Sequence, residues 1–111
     1  MSLIAKIRQA RLHPAEAAGL AFTLRRPTDL EVARMRGEGV SPFDIVLRFV
    51  VGWQVKESDL IAGGSDAAVP WDADLFAEWV VDRPELWEPL GGQIMAAYAA
   101  HRAGMEASAK N

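Results

Sequence analysis

Residues that commonly carry out catalysis or hold metal ions are sparse in this chain. The sequence has no cysteine, which excludes disulfides, thiolate zinc sites and cysteine nucleophiles. Its two histidines, His13 and His101, are far apart, and positions 97 and 105, one helical turn on either side of His101, are alanine and methionine. No Gly-x-Ser-x-Gly segment is present to support a serine nucleophile. We therefore expect no enzymatic activity, no metal and no cofactor.

Carboxylates cluster near the start of the C-terminal half. Catalytic carboxylates usually lie in a cleft that separates their pKa values, whereas a run along one helical face is typical of a solvated or partner-binding surface. Asp74, Glu78 and Asp82 recur every four residues, so we expect them to form one stripe on a helix. Solvation explains such a stripe, and a basic partner is the alternative. The whole cluster consists of Asp72, Asp74, Glu78, Asp82, Glu85 and Glu88.

The formal net charge of −3 is unevenly placed along the 111 residues. Residues 1–56 carry a net charge of +4, and residues 57–111 carry −7. The two halves could neutralise each other within one chain or pair head to tail between chains. The acidic half argues against nucleic-acid binding, which requires a surplus of lysine and arginine.

Four tryptophans could form a core cluster or serve as exposed binding anchors. Trp79 fits the apolar face of a predicted helix, which favours the core. Trp71 and Trp87 flank turns beside prolines, where half-exposed indoles often bind partners. Trp53 ends the most apolar segment of the sequence.

Helix start and stop signals place the elements that carry these side chains. Thr28 and Glu31 form a capping-box pattern that predicts a helix over 29–36, and Ser41 with Pro42 predicts a second over 42–53. The second would be apolar around nearly its whole circumference, so we expect it to be central or to meet another subunit. Asp72 predicts a helix to about residue 82, and a long helix follows residue 84, kinked or restarted at Pro89.

The remaining segments complete a single domain over residues 1–111. Residues 1–12 fit either a strand or a helix, and Ala21–Leu24 predicts a strand before Pro27. Residues 56–68 read as a loop with its turn at Gly63 and Gly64. The predicted fold is therefore mainly α, with about four helices in a core over 28–106, a small β or irregular segment over 1–26, and a frayed tail over 107–111. No apolar run is long enough to cross a membrane, and we expect a cytoplasmic protein.

About two thirds of the chain resembles the tail assembly chaperones of long-tailed bacteriophages. The segments that carry the resemblance are Leu24–Leu30 (LRRPTDL), Gly52-Trp53, Val55, Gly63-Gly64, Val69-Pro70-Trp71-Asp72, Asp82-Arg83-Pro84 and Tyr98. The chain departs from the family pattern at Gln54, where a small or acidic residue is expected.

The resemblance implies binding to the helical tape measure protein, recruitment of tail tube subunits, and absence from the mature virion. We also consider a homo-oligomer. The alternatives are a structural tail-completion or head–tail connector component and, last, a small helical DNA-binding regulator, whose second helix would be too apolar for a major groove. We predict a client surface lined by Phe49, Trp53, Trp71, Trp79 and Trp87, with register set by Asp74, Glu78 and Asp82. Arg25 and Arg26 would dock an acidic patch on a neighbouring copy.

Overall fold

A computed structural model describes residues 1–109, and within them the chain forms an α+β fold with six helices and four strands. The strands make one antiparallel sheet, in which each strand pairs with the next one along the chain. The prediction of a mainly α fold with about four helices is therefore wrong. The elements are α1 (Leu3–Gln9), β1 (Leu12–Ala17), β2 (Leu20–Arg25), α2 (Asp29–Met35), α3 (Pro42–Phe49), β3 (Val50–Lys56), α4 (Glu57–Leu60), β4 (Ala68–Val69), α5 (Ala73–Val80) and α6 (Pro84–Ala109).

The largest correction concerns the helix predicted over 42–53. The helix ends at Phe49, and the chain continues directly as strand β3, which pairs with β2 on one side and β4 on the other. From Trp53 onward burial alternates: Trp53 and Val55 are buried, whereas Gln54 and Lys56 are exposed. This period of two belongs to a strand with one buried face. The apparent excess of apolar helical surface is thus an amphipathic helix followed by a core strand.

The N-terminal segment was predicted as β or irregular, and it contains both a helix and a hairpin. Helix α1 begins at Leu3, with the Ser2 hydroxyl accepting a hydrogen bond from the Ala5 N–H. Strands β1 and β2 follow, joined at Ala18 and Gly19, both of which have positive φ. Two such residues make the tight turn whose twist suits a hairpin. The strand predicted over Ala21–Leu24 is confirmed.

The helix starts predicted from capping residues are confirmed. Glu31 and Asp44 complete capping boxes with Thr28 and Ser41 at the starts of α2 and α3. Asp72 accepts hydrogen bonds from two N–H groups in the first turn of α5. These ends are predictable because each needs only a local side chain to satisfy free N–H groups.

Two other sequence predictions are corrected. The segment expected to be a loop over 56–68 contains α4, and its last residue begins β4. Pro89 was expected to kink or restart the last helix, and it does not restart it, because α6 is continuous from Pro84 to Ala109. Helix α6 also continues beyond residue 106 into the predicted frayed tail, whose last residues, 110 and 111, lie outside the described residues.

A single apolar core joins one face of the sheet to α3, α5 and α6. Helix α6 contributes Leu86, Leu90 and Ile94, spaced four residues apart along one side. Gln93, also on α6, holds the outer strand: its side-chain amide donates to the carbonyl oxygen of Glu16 at 2.8 Å and accepts from the Glu16 N–H at 3.2 Å. One helix therefore covers the core and occupies free hydrogen-bonding groups of the edge strand β1.

Candidate functional site

Trp53 lies at the centre of an aromatic cluster beneath α5. Its ring makes edge-to-face contacts with Trp71, Phe76 and Trp79 at centroid distances of 5.2, 5.9 and 5.9 Å. Its indole N–H donates to the carbonyl oxygen of Val69 at 3.0 Å. Trp53 and Phe76 are buried, whereas Trp71 and Trp79 are half-buried and reach the surface.

The structure corrects the prediction that Phe49 and Trp53 line a client surface. Phe49 is 1% exposed and Trp53 is 7% exposed, so both belong to the core. Phe49 closes α3 and Trp53 follows on β3, and both point into the core between the sheet and the helices. The other three aromatic residues predicted for the client surface are only half-buried and keep some exposed surface. They are Trp71, Trp79 and Trp87.

Within residues 1–109, Trp87 makes no ring contact with the other three tryptophans. Its indole N–H donates to the carbonyl oxygen of Val80 at 2.8 Å, and its ring packs edge to face on Phe43 at 5.0 Å. Both rings are half-buried. They therefore present fixed apolar surface between α3 and the first turns of α6.

These rings line an apolar depression that we call the α3–α6 groove. Its two adjoining parts share Pro42 and Glu88. At Gly91 the two helices approach closely, since an added Cβ there would lie 3.5 Å from Pro42. At Gly92 the groove is open, since an added Cβ would have no atom within 4 Å. Glu85 and Glu88 place two carboxylates along the groove. Its apolar lining is formed by Pro42, Phe43, Ile45, Trp87, Gly92 and Met95.

A second candidate surface is the outer side of α5 and the turn after it. The carboxylates predicted to set register are all exposed, and none of them forms an ion pair within residues 1–109. Leu75 and Val81 are exposed beside them. We call this surface the α5 acidic face, and it consists of Asp74, Leu75, Glu78, Val81 and Asp82.

Arg25 has partners within its own chain. Its guanidinium donates to both carboxylate oxygens of Glu31, at 2.7 and 2.9 Å, and lies 4.8 Å from the ring centroid of Phe49. These hydrogen bonds lower the pKa of Glu31 to about 2 and raise that of Arg25. Arg26 donates to the Pro27 carbonyl oxygen at 3.1 Å, and burial lowers its pKa. Arg25 therefore links β2 to α2 through Glu31. Docking on a neighbouring copy would have to compete with this pair.

The ion pairs of residues 1–109 do not join basic groups of the first half to carboxylates of the second. The pair of Arg25 above and that of Arg48 with Glu38, at 3.2 Å, both stay within residues 1–56. Pairs that cross between the halves, such as Arg102 to Asp29 at 3.5 Å, take their cation from the acidic half. At ion-pair distance, the halves do not neutralise each other in the way the intrachain interpretation expected.

Asp29 nevertheless joins α2 to the middle of α6. The Tyr98 hydroxyl donates to its carboxylate at 2.9 Å, and His101 and Arg102 lie at 3.8 and 3.5 Å. The hydrogen bond from Tyr98 and the nearby cations lower the pKa of Asp29, and burial with the same hydrogen bond raises that of Tyr98. His101 is thus a half-buried helix residue whose ring lies near Asp29.

Sequence reasoning missed the exposed apolar surface of α1. Leu3, Ile4 and Ile7 are 76%, 62% and 56% exposed, and none of the seven residues of α1 is buried by the described chain. The signal that could have found it was present, because Ile4 and Ile7 fit a helical face. The competing alternation of Leu3, Ala5 and Ile7 left that segment unassigned between strand and helix.

Residues 1–109 contain no group of three or more His, Asp or Glu side chains placed to hold a metal ion. None of their helices combines the length and apolar character that crossing a membrane requires.

Comparison of the chain with protein-family models, with curated proteins and with solved structures gave no match. The structure shows an α+β protein with two candidate binding surfaces, the α3–α6 groove and the α5 acidic face.

Proposed function

We propose that this protein is an assembly chaperone that binds a long helical client through the α5 acidic face. The resemblance of segments 24–30 and 52–98 to phage tail assembly chaperones suggests the client, a tape measure protein, and a role in recruiting tail tube subunits. The proposal is one of binding rather than catalysis.

The composition of the α5 acidic face supports a basic amphipathic helix as the partner. Exposed carboxylates alternate with Leu75 and Val81 on one side of α5, and Trp71 reaches the surface at its start. Amphipathic helices are recognised by apolar anchors spaced three and four residues apart, and complementary charge fixes their register. A client with lysines or arginines beside an apolar stripe matches this pattern.

The observation that carries the proposal is that Asp74, Glu78 and Asp82 lack an ion-pair partner within residues 1–109. Like charges four residues apart disfavour a helix by about 0.2–0.5 kcal/mol per pair. A basic partner would remove that repulsion on binding. The apolar segment over 42–53 does not support client binding, since residues 50–56 are a core strand.

The proposal predicts that a neighbouring gene encodes a long coiled-coil protein, and co-expression with that protein tests the proposal. The protein should raise the soluble yield of that client, and Asp74→Lys/Glu78→Lys should abolish the gain. The matched control is Asp66→Lys/Glu106→Lys, which reverses two exposed charges outside the α5 acidic face and should retain the gain. An unchanged yield with the unaltered protein, or equal loss in both double variants, contradicts the proposal. Finding the protein in purified particles would instead favour the structural-component alternative.

A further inference from the structure

Helix α1 is an amphipathic element whose apolar side has no cover in the described chain. Leu3, Ile4 and Ile7 lie on adjoining turns, the spacing by which a short helix presents apolar anchors. Lys6 and Arg8 lie in its last turn and are exposed. The helix therefore combines an apolar patch with positive charge.

The α3–α6 groove is also apolar, but its charge is negative, so it complements the positive charge of α1. Phe43 and Trp87 supply its aromatic lining, and Glu85 and Glu88 supply negative charge. Of these carboxylates, only Glu85 has an ion pair within residues 1–109, a long one of 3.8 Å to Arg83. The groove is open at Gly92, where no neighbouring atom would touch an added side chain.

Helix α1 is short enough to lie within the α3–α6 groove. A seven-residue helix is about 10 Å long, and the part of α6 that lines the groove, from residue 84 to residue 95, spans about 17 Å. Helix-in-groove recognition needs a concave apolar site and anchors spaced three and four residues apart, and here both are present. The α5 acidic face, in contrast, is the outer side of a helix.

We propose that α1 of one copy docks in the α3–α6 groove of a second copy. Leu3, Ile4 and Ile7 would contact the rings of the groove, and Lys6 and Arg8 would face its two glutamates. Opposite charge steers this orientation, and the apolar contacts supply most of the affinity.

The contact joins two different surfaces, so it has a consequence for assembly. Each copy that donates α1 still offers its own groove, and the contacts then either close a ring, with the reciprocal dimer as the smallest, or propagate. This inference concerns self-association and stands independently of the α5 acidic face.

Light scattering coupled to gel filtration tests the proposal on the protein alone. The unaltered protein should show a mass above that of one chain, and this mass should rise with concentration. Gly92→Lys should weaken association at least about tenfold, because it fills the groove with a positive charge that repels Lys6 and Arg8 of α1. Gly104→Lys is the matched control, because it is the same change in the same helix, and neither glycine has an atom near the added Cβ. A monomer at every concentration, or equal association of the two variants, would overturn the proposal.

Substitutions on α1 provide the reciprocal test. Ile4→Ser/Ile7→Ser should weaken association at least about tenfold without lowering thermal stability, because neither side chain is buried. Leu30→Ser/Ile61→Ser removes two equally exposed apolar side chains elsewhere and should leave association unchanged. Loss of association in the control alone would show that another surface mediates it.

Cross-linking distinguishes docking in the second copy from other occupants of the groove. Because the chain has no cysteine, Ile7→Cys and Gly92→Cys proteins can be mixed under a mild oxidant, and every cross-link can be assigned. The mixed disulfide should form at least about tenfold faster than the one between Ile7→Cys and Gly104→Cys chains. Equal rates would overturn the proposal, as would binding of α1 to anionic lipid vesicles without any cross-link between copies.

Discussion

Glu31 connects two neighbouring elements through a single carboxylate. It caps α2 by accepting from the Thr28 N–H and hydroxyl, both at 3.0 Å, and it receives both hydrogen bonds from Arg25 on β2. Charge-assisted, two-point hydrogen bonds of this kind are stronger than neutral ones. The residue therefore fixes both where α2 begins and how α2 lies against the sheet.

The low pKa of Glu31 makes part of the stability dependent on pH. Its pKa is about 2 in the folded protein and 4.5 in the unfolded chain, so unfolding takes up a proton between these values. The contribution is complete above pH 4.5 and is lost as the pH falls toward 2. Because the side chain is 34% exposed, solvent screening limits the contribution to about 1 kcal/mol.

We predict that Glu31→Gln lowers the free energy of unfolding at pH 7 by about 1 kcal/mol. The difference from the unaltered protein should narrow below pH 4.5 and disappear near pH 2. Urea unfolding followed by tryptophan fluorescence at several pH values measures it. Glu38→Gln, which breaks the more exposed pair with Arg48, should change stability by less than about 0.5 kcal/mol. A difference that persisted at pH 2 would contradict this account.

At the scale of elements, two glycines with similar sequence surroundings have opposite structural roles. Gly64 packs against α4, where an added Cβ would lie 2.7 Å from both the backbone carbon and the carbonyl oxygen of Glu57. Gly92 lies in the interior of α6 with free space around it. Substitution by alanine should therefore change the free energy of unfolding in opposite directions at the two positions.

We predict that Gly64→Ala lowers the free energy of unfolding by about 1–3 kcal/mol, because the backbone of α4 must move. Gly92→Ala should raise it by about 0.5–1 kcal/mol, because alanine favours a helix. Thermal unfolding followed by circular dichroism measures both. If Gly64→Ala were neutral, the close packing of the turn on α4 would be refuted.

Gln93 provides a second prediction at this scale. Gln93→Ala removes both hydrogen bonds to the backbone of Glu16 and should cost about 0.5–1.5 kcal/mol, since water can replace them on an exposed edge. Hydrogen exchange of the Glu16 N–H should become faster, while that of the Phe22 N–H in β2 should not change. Equal acceleration at both positions would indicate general destabilisation instead.

At the scale of the whole molecule, the two proposed binding surfaces are carried by different helices and should be separable. We predict that Asp74→Lys/Glu78→Lys loses client binding and keeps self-association. Gly92→Lys should keep client binding and lose self-association. Pull-down of the client and light scattering measure the two properties on the same samples. Loss of both properties in either variant would show that client binding and self-association depend on one another.

The distribution of charge on the whole molecule explains why salt should matter to both properties. Within residues 1–109, no lysine or arginine of the basic first half forms an ion pair with a carboxylate of the acidic second half. Exposed charges are screened at about 8–10 Å in physiological salt, so association steered by them weakens as salt rises.

The amino-acid sequence by itself determined the features that depend on a few neighbouring residues. The starts of α2, α3 and α5 follow from Thr28, Ser41 and Asp72, and the strand at 21–24 follows from its residue types. The exposed acidic stripe on α5 and the turn after it follows from the four-residue spacing of its carboxylates. Each of these needs only local hydrogen bonds or local periodicity.

Only the tertiary structure decided whether residues 50–56 form helix or strand, because a short apolar run fits both, and pairing with β2 and β4 selects the strand. That choice placed Trp53 in the core beside Phe49, whereas Trp71, Trp79 and Trp87 are half-buried. The tertiary structure also left α1 without cover among the described residues and left a groove between α3 and α6, since which apolar faces meet depends on contacts between residues far apart in the chain.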